Sequence, residues 1–433
     1  MANGKLAYHP LYFLAALGFG GTAVSFFMYL MFLLPHPKTP LPTFEDVVAV
    51  LKAGGVSAML TGAALGLIVV FAVLHYVLLA WNLGMFGRFR RSDAYVAFRD
   101  SSKSVALMAV PLTLAMAVNV AFILGALFVP GLWNVIEFLL PGATVAFGAV
   151  GLYTLSIFYR YFSRFILAGD LEFVKSASLS HMISIFAFSM IAVGLAAPAG
   201  MSHHPVTSIV SLVLAIFFTT LAASLAIVKL TVGLQAIFSR GVEVEAAPTL
   251  WIMIPILTMF GVAFVRLYSG VSHNFFQLQP SPYVTFLVLT VFLSLQGLFG
   301  AVGYRVMKAL RYFERFVLGP EKHVGSFTLI CPGIAFFVQG MFWLGWGLLK
   351  TGIVAIGSPV FYVLIVPLLA SSFGRSAPCC FSSGSTFSRL RRWRSRRRPP
   401  ILAVLRLRHQ AAIRPAFAGP SWAGLFLLRI DAV

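Results

Sequence analysis

The sequence predicts an all-α, polytopic membrane protein with about ten transmembrane helices in five hairpins, which can surround a central pore. Of its 433 residues, 60% are hydrophobic and only 10% are charged, and the mean hydropathy is +0.93. A soluble domain has about 25% charged residues, so a water-soluble globule is excluded. Apolar runs of about 20 residues recur, and each is long enough as a helix to cross a hydrocarbon core of ~30 Å. The runs do not alternate apolar and polar residues, which excludes the strands of an outer-membrane barrel.

Ten apolar runs predict the membrane spans, and together they form one transmembrane domain, residues 1–373. The first run has the length of a full span, and no signal-peptide cleavage site clearly ends it, so we expect it to be the first membrane helix. In chain order the spans cover residues 11–34, 56–80, 104–128, 135–158, 180–199, 207–230, 249–268, 283–304, 326–349 and 352–372.

The Lys and Arg residues predict the orientation of the spans. Fifteen of them lie at or beyond the ends of even-numbered spans, whereas only Lys38, Lys52, Arg266 and Lys350 lie on the other side. Because positively charged loops stay in the cytoplasm, both termini are predicted to be cytoplasmic, in a protein of the cytoplasmic (inner) membrane. The fifteen are Arg88, Arg90, Arg91, Arg99, Lys103, Arg160, Arg164, Lys175, Lys229, Arg240, Arg305, Lys308, Arg311, Arg315 and Lys322.

The loop after the first span is predicted to contain a short helix. Four prolines between positions 35 and 42 indicate a rigid connection. The acidic pair Glu45-Asp46 follows them, and acidic residues are typical of a first helical turn. We therefore expect a capped interfacial helix around residues 43–53.

A basic tail, residues 374–433, follows the last span. It holds 12 of the 32 Lys and Arg residues and one acid, Asp431. Its composition fits a disordered segment beside anionic lipid, and equally a reading-frame error in a GC-rich gene. Because lipid contact explains the basic run, no nucleic-acid partner is predicted, and the tail is assigned no function.

Residues for enzyme chemistry are mostly missing. Glu137 is the only acid near a span, which disfavours the carboxylate pair of a proton-driven pump. His75 is the only histidine well inside a span, whereas a di-haem cytochrome needs matched histidine pairs. Phosphate-binding loops, zinc spacings and nucleophile elbows are not found. The sequence predicts no cofactor and no metal, and it disfavours an enzyme.

Prolines and a glycine make the odd-numbered spans candidates for a central path. Pro111, Pro198, Pro255 and Pro332 lie in spans three, five, seven and nine, and span one carries Gly21. A proline frees a backbone carbonyl, which a membrane protein tolerates where the helix lines a cavity. We therefore predict that the odd spans bend around a solute path. The alternative is that these prolines reflect the general frequency of proline in membrane helices, since even spans contain it too.

Asn119, Thr328 and Gln339 are further candidates for solute contact. Like Gln296, they are uncharged polar residues within spans, where a side chain facing lipid would be costly. We expect all of them to point inward. Hydrogen bonding between helices is an equally good explanation for them.

Cys331 is the candidate for an alternative, redox function. It is the one cysteine of the transmembrane domain and lies immediately before Pro332. Its thiol is reactive if the surroundings are wet, whereas a buried cysteine usually behaves as a small apolar residue. With no second cysteine in the domain, a redox cycle needs an outside thiol.

Segments near both ends of the transmembrane domain match a known pattern. They are His9–Phe13, Gly20-Gly21, Ser25–Phe32, Pro35–Pro37 and Thr328–Gly333. Over about residues 9–370 the chain resembles the TsoY family of bacterial membrane (seleno)proteins. Some members carry selenocysteine, and the resemblance implies that Cys331 is the corresponding position. It implies no biochemical role.

The layout of the spans is similar to that of a second family. Ten helices in five hairpins, with prolines in the odd spans, resemble the TehA and plant slow-anion-channel family of tellurite-resistance and dicarboxylate transporters. In that family the odd helices surround a pore that a phenylalanine occludes. Phe186 and Phe188 of span five are both candidates for that residue.

These observations predict a channel or transporter for a small anionic or neutral solute, with the lipid bilayer as its surroundings. Arg266, near the outer end of span seven, can attract anions, although an arginine there also reaches the headgroups. The alternatives are a membrane redox protein that uses Cys331 on a selenium, sulfur or quinone-type substrate, and a scaffold subunit. Association into a homo-oligomer is left open.

Overall fold

The computed structural model of the protein describes residues 8–168, 178–319, 321 and 324–373. In these ranges all regular structure is helical, and nine helices are long and apolar enough to cross a membrane. The predicted all-α, polytopic fold is therefore confirmed, while the tail at 374–433 lies outside the described residues. The helices are α1 (Phe13–Leu33), α2 (Phe44–Ala53), α3 (Gly55–Phe89), α4 (Asp93–Arg99), α5 (Ala109–Phe128), α6 (Ile136–Ala168), α7 (Ile183–Met201), α8 (Pro205–Arg240), α9 (Met253–Asn274), α10 (Pro282–Ala309), α11 (Ile330–Phe342) and α12 (Pro359–Phe373).

The tenth span is shorter than the sequence indicates. A helix over 352–372 is expected, but α12 begins at Pro359 and has 15 residues. Gly352 and Gly357 have φ values of 74° and 83°, a conformation that favours glycine, and the chain turns between them. Pro359 then starts the helix, since the first turn needs no proline N–H.

Several helices run further than predicted. Helices α3, α6, α8 and α10 have 35, 33, 36 and 28 residues, respectively. Residues assigned to loops, including Arg88, Arg160, Lys229 and Arg305, are therefore inside helices, and that part of the prediction is wrong. About 20 residues suffice to cross the hydrocarbon core, so hydropathy alone gives the core-crossing part of a helix and misses its extension.

The short helix of the first loop is confirmed as α2, Phe44–Ala53. The hydroxyl and backbone N–H of Thr43 both donate to Asp46 Oδ2, each at 2.9 Å. This is the capping box that satisfies backbone groups at a helix start.

The membrane helices form two layers that differ in burial. In the odd-numbered spans, which are α1, α5, α7, α9 and α11, 61% to 94% of the residues in the most apolar 18-residue stretch are buried within the protein. In α3, α6, α8 and α10 the buried share is only 17% to 33%. We call the first set the inner helices. Because the others expose apolar residues such as Phe138, Leu152 and Val291, their free surfaces suit lipid.

The inner helices form a closed ring. Helix α1 contacts α5, α5 contacts α7, α7 contacts α9, α9 contacts α11, and α11 contacts α1 again. Each inner helix also packs against the outer helix that follows it, so the chain forms five hairpins with one inner arm each. This arrangement is the inner ring.

All five inner helices begin with the same local structure. A 3₁₀ segment precedes each one, and these segments also contact one another around the ring, so the inner helices run parallel. Pro111, Pro255 and Pro332 each occupy the third residue of an inner α-helix, and Pro198 lies near the end of α7. Pro111, Pro255 and Pro332 therefore lie where a 3₁₀ segment passes into an α-helix, within the candidate membrane spans. The 3₁₀ segments are Pro10–Tyr12, Ser102–Met108, Ser180–Met182, Val244–Ile252 and Val324–Leu329.

Candidate solute pathway

All five inner helices share a layer of buried apolar side chains. Each inner helix contributes a buried residue to one continuous hydrophobic cluster: Met28, Ile123, Val193, Val262 and Val338. We call these five residues the apolar layer. A ring of apolar side chains blocks ions by excluding water, and it opens by small side-chain or helix movements.

Polar side chains adjoin the apolar layer on the side of the helix starts. Asn119, Ser189 and Thr258 each precede a residue of the layer by four positions, so they lie on the same helix faces one turn away. Asn119 is half-buried, and its Nδ2 donates to Ala115 O at 3.2 Å and contacts Met190 Sδ at 3.7 Å. The expectation that Asn119 points inward agrees with this contact between two inner helices.

Arg266 adjoins the apolar layer on the other side. It follows Val262 by four residues, so both lie on one face of α9. Its Nη1 donates to Val193 O of α7 at 3.0 Å. Eight residues, about 12 Å of helix, separate Arg266 from the end of α9 at Asn274. The guanidinium therefore lies well inside the ring and not at its rim.

Two glycines fix the helices beside Arg266. A Cβ at Gly270 would lie 2.8 Å from Ala199 O, and one at Gly200 would lie 2.8 Å from Arg266 O. Because both distances are too short for real Cβ atoms, α7 and α9 approach this closely only with glycine at both positions. The tight crossing holds Arg266 against α7.

Arg266 is the only Asp, Glu, Lys or Arg in the α-helical parts of the five inner helices. Within the described residues it makes no ion pair; the four pairs found involve other residues, in the connections and at the ends of outer helices. A guanidinium has five N–H donors, and a single backbone carbonyl uses one of them. The α-helical parts of the inner ring thus carry one positive charge and no negative charge.

Gln339 lies where α11 packs against α9. Its side chain is 0% exposed, and neither Nε2 nor Oε1 has a hydrogen-bond partner within the described residues. A Cβ at Gly261 would lie 2.5 Å from Oε1 and 2.7 Å from Nε2, so the amide occupies the space that a larger residue would fill. Each unpaired buried polar group costs about 1–3 kcal/mol.

The next turn of the same contact is better bonded by comparison, although Gln296 Oε1 has no hydrogen-bond partner within the described residues. Thr258 Oγ1 donates to Ala335 O at 2.9 Å and accepts from Gln296 Nε2 at 2.7 Å, and Gln296 Nε2 also lies 2.8 Å from Ile254 O. Gln296 therefore links α10 to α9 through hydrogen bonds, which agrees with the second explanation offered for it.

Cys331 faces the interior of the ring. Nine residues separate Cys331 from Gly340, so the two residues lie on opposite faces of α11. Gly340 packs against Leu368 of the outer helix α12, so Cys331 lies on the face turned away from that helix. Cys331 is half-buried. Its redox role stays a prediction.

The remaining predicted residues lie at helix contacts. Gly21 faces Ile334 of α11, where a Cβ would lie at an ordinary 3.5 Å. Thr328, in the 3₁₀ segment before α11, donates from Oγ1 to Gly325 O at 2.6 Å. The structure thus separates the predicted set. Asn119 and Cys331 lie on helix faces toward the ring interior, and Gln339 lies in the contact between α11 and α9. The prolines and Thr328 lie near the ends of α-helical segments.

The two phenylalanines of span five face opposite ways. Phe188 packs edge-on against Phe158 of α6, with ring centroids 5.2 Å apart, and stacks near Phe218 of α8. Phe186 is two residues earlier, about 200° around the helix, and so lies on the side away from these outer helices. Of the two, Phe186 is therefore the one placed toward the ring interior.

His75 makes a buried contact that the sequence pattern did not reveal. Its Nδ1 lies 2.7 Å from Ala16 O of α1, while Nε2 has no partner within the described residues. A Cβ at Gly20 would lie 2.8 Å from His75 Nδ1 and 2.6 Å from Met116 Cγ. The Gly20-Gly21 pair of span one was the available signal in the sequence.

Lys229 belongs to a second buried polar cluster that was not predicted. It is 5% exposed, and its Nζ donates to Tyr161 Oη at 2.7 Å and to Ser184 Oγ at 3.3 Å. Tyr161 Oη in turn lies 3.3 Å from His181 Nδ1. The cluster joins α6, α7 and α8 beside the ring. In the sequence, Lys229 lies within the apolar run of α8 and on the same helix face as Ala222 and Ala226. A lysine in such a position was the available signal for the buried cluster.

Glu137 joins α6 to the connection between α7 and α8. Its carboxylate accepts from Ser202 Oγ at 2.7 Å and from the backbone N–H of His203 at 2.8 Å. His203 Nδ1 also lies 3.0 Å from Glu137 Oε1. The Glu137 carboxylate therefore links the start of α6 to the connection between α7 and α8 through hydrogen bonds.

No protein-family model matches the chain, and comparison with curated proteins gives no significant match.

Proposed function

We propose that the protein is a channel or facilitated transporter that moves a small anionic or neutral solute through the inner ring. The observation that carries the proposal is the position of Arg266, the one Asp, Glu, Lys or Arg in the α-helical parts of the inner helices, next to the apolar layer. A path that contains one positive charge and no negative charge attracts anions and repels cations. An anion is therefore the solute class that this geometry favours.

The proposal includes an orientation and a location. The inner helices begin at the cytoplasmic side of a bacterial inner membrane, because the basic residues collect at the ends of the outer helices beside those starts. The layout also agrees with what the TehA and slow-anion-channel resemblance implies, five hairpins with the odd spans at the centre. Membership of that family, or of the TsoY family, is part of the proposal.

The strength of the expected effect follows from Coulomb's law. Two unit charges 4 Å apart attract each other by about 4 kcal/mol at an effective dielectric constant of about 20. Desolvation of the anion offsets part of this gain. A remainder of about 1.4 kcal/mol changes an equilibrium tenfold, so loss of Arg266 is expected to lower anion-to-cation permeability by about tenfold.

The test is the reversal potential of the full-length protein in planar bilayers under a salt gradient. We expect the native protein to prefer anions, Arg266→Gln to lose about tenfold of that preference, and Arg266→Lys to keep most of it because the charge remains. Arg305→Gln is the matched control, because it removes an exposed arginine from the outer helix α10. Native protein that prefers cations, or an unchanged preference in Arg266→Gln, contradicts an anion path past Arg266.

A further inference from the structure

The Gln339 side chain combines two properties that rarely occur together in a structural residue. It is completely buried, and neither of its amide atoms has a hydrogen-bond partner within the described residues. Gln296, another buried glutamine at this contact, uses its Nε2 for two hydrogen bonds and leaves only its Oε1 without a partner within the described residues. Burial without compensation is unfavourable, so Gln339 is not explained by its contribution to this packed state.

The position of Gln339 puts the ring interior within reach of its amide. The preceding residue, Val338, belongs to the apolar layer, so Gln339 lies about 100° further around α11. Staggered rotamers differ by about 120° at χ1, so one rotamer change turns the amide from α9 toward the ring interior. Only the flexible end of the Gln339 side chain contacts Gly261, and its amide makes no hydrogen bond there that a rotamer change would break.

We propose that the Gln339 side chain is the mobile polar element of the solute path: it rests against Gly261 in this structure and turns into the ring to bind the solute through its carboxamide. This inference rests on the proposed function and adds a solute class to it. A carboxamide both donates and accepts hydrogen bonds. It therefore favours an oxyanion that carries a hydroxyl, such as bicarbonate, over a halide, which only accepts.

The first test replaces the amide with an apolar group of similar length, Gln339→Met, in the full-length protein. In proteoliposomes we expect the bicarbonate-to-chloride flux ratio to fall about tenfold. In detergent we expect the unfolding temperature to stay the same or rise, because no hydrogen bond is lost. Gln296→Met is the matched control: it removes two hydrogen bonds, and its unfolding temperature falls.

A second variant keeps the inference testable if Gln339→Met does not fold. Gly261→Ala places a methyl group where the amide rests and displaces it toward the ring, so we expect bicarbonate flux to increase. Unchanged flux in Gly261→Ala, or an unfolding temperature of Gln339→Met lowered as far as in Gln296→Met, overturns the role of Gln339.

The experiments distinguish failure of the proposed function from failure of the role of Gln339. If the native protein transports bicarbonate or chloride and Gln339→Met transports both at native rates, the solute path stands and the role of Gln339 is refuted. If the native protein transports neither anion, the proposed function fails, and the role of Gln339 fails with it.

Discussion

The variants Phe186→Ala and Phe188→Ala test which face of α7 is turned toward the ring interior and which face packs against the outer helices. Both rings are buried, at 6% and 0% exposure, so hydropathy does not distinguish them. Their contacts do, because only Phe188 packs against aromatic rings of α6 and α8. The expected effects of Phe186→Ala and Phe188→Ala are therefore different in kind.

Phe188→Ala is expected to lower the free energy of unfolding. Removing a packed phenylalanine ring costs about 3–5 kcal/mol, because a cavity remains. At about 1.4 kcal/mol per factor of ten, the folded-to-unfolded ratio falls roughly 100- to 3,000-fold. Phe186→Ala is expected to cost less, since the vacated space joins the ring interior and water enters it. The same widening is expected to raise anion flux by about tenfold.

Two assays on the same preparations decide between these outcomes. Chemical unfolding in detergent gives the stability of each variant, and anion efflux from proteoliposomes gives the flux per folded protein. We expect high flux with modest destabilisation for Phe186→Ala, and native flux with strong destabilisation for Phe188→Ala. Raised flux in Phe188→Ala with no change in Phe186→Ala would refute the assignment of the ring interior.

Three further predictions concern a glycine pair, the cysteine and an acid. Gly20→Ala is expected to lower stability by about 1–3 kcal/mol, because its Cβ meets the buried histidine beside it, whereas Gly21→Ala, with ordinary contacts, is nearly neutral in the same unfolding assay. Cys331→Ser is expected to keep native flux; no flux in the native protein, together with rapid selective labelling of the Cys331 thiol, would favour the redox alternative. The backbone N–H of Gly131 donates to Glu45 and lowers the pKa of that carboxyl below its ordinary 4.5, so this contact stabilises the protein at higher pH and is lost as the pH falls through the lowered pKa. Glu45→Gln is therefore expected to lose less stability than the native protein in unfolding measurements below pH 4.5; equal losses would contradict the contact.

Hydropathy predicts the order of the spans well, and nine of the ten predicted spans are helices long enough to cross a membrane within the described residues. Burying about 20 apolar residues in lipid leaves a strong signal in the sequence. It predicts their ends poorly. Helix α8 continues to Arg240, since a helix remains stable beyond the hydrocarbon core where lipid no longer requires apolar side chains. The late start of α12 depends on the positive φ of Gly352 and Gly357, which composition does not reveal.

The inner ring could be anticipated only in outline. Helix α7 is almost entirely buried in protein, yet its sequence is as apolar as that of a lipid-facing helix, since lipid and protein interior select the same side chains. Prolines and Gly21 indicated which spans are central. They did not indicate that Arg266 adjoins the apolar layer or that Gln339 rests against Gly261, because both facts depend on which faces of separate helices meet.

The most direct test of the central claim, that solute passes through the inner ring, is block of anion flux at a single engineered cysteine. Val262→Cys, in a chain with all three native cysteines changed to serine, places a thiol in the apolar layer, and Phe260→Cys on the same helix is the control. We expect a water-soluble, charged thiol reagent to abolish flux in Val262→Cys and to leave Phe260→Cys unaffected. Native flux after complete modification of Val262→Cys would contradict a path along the ring.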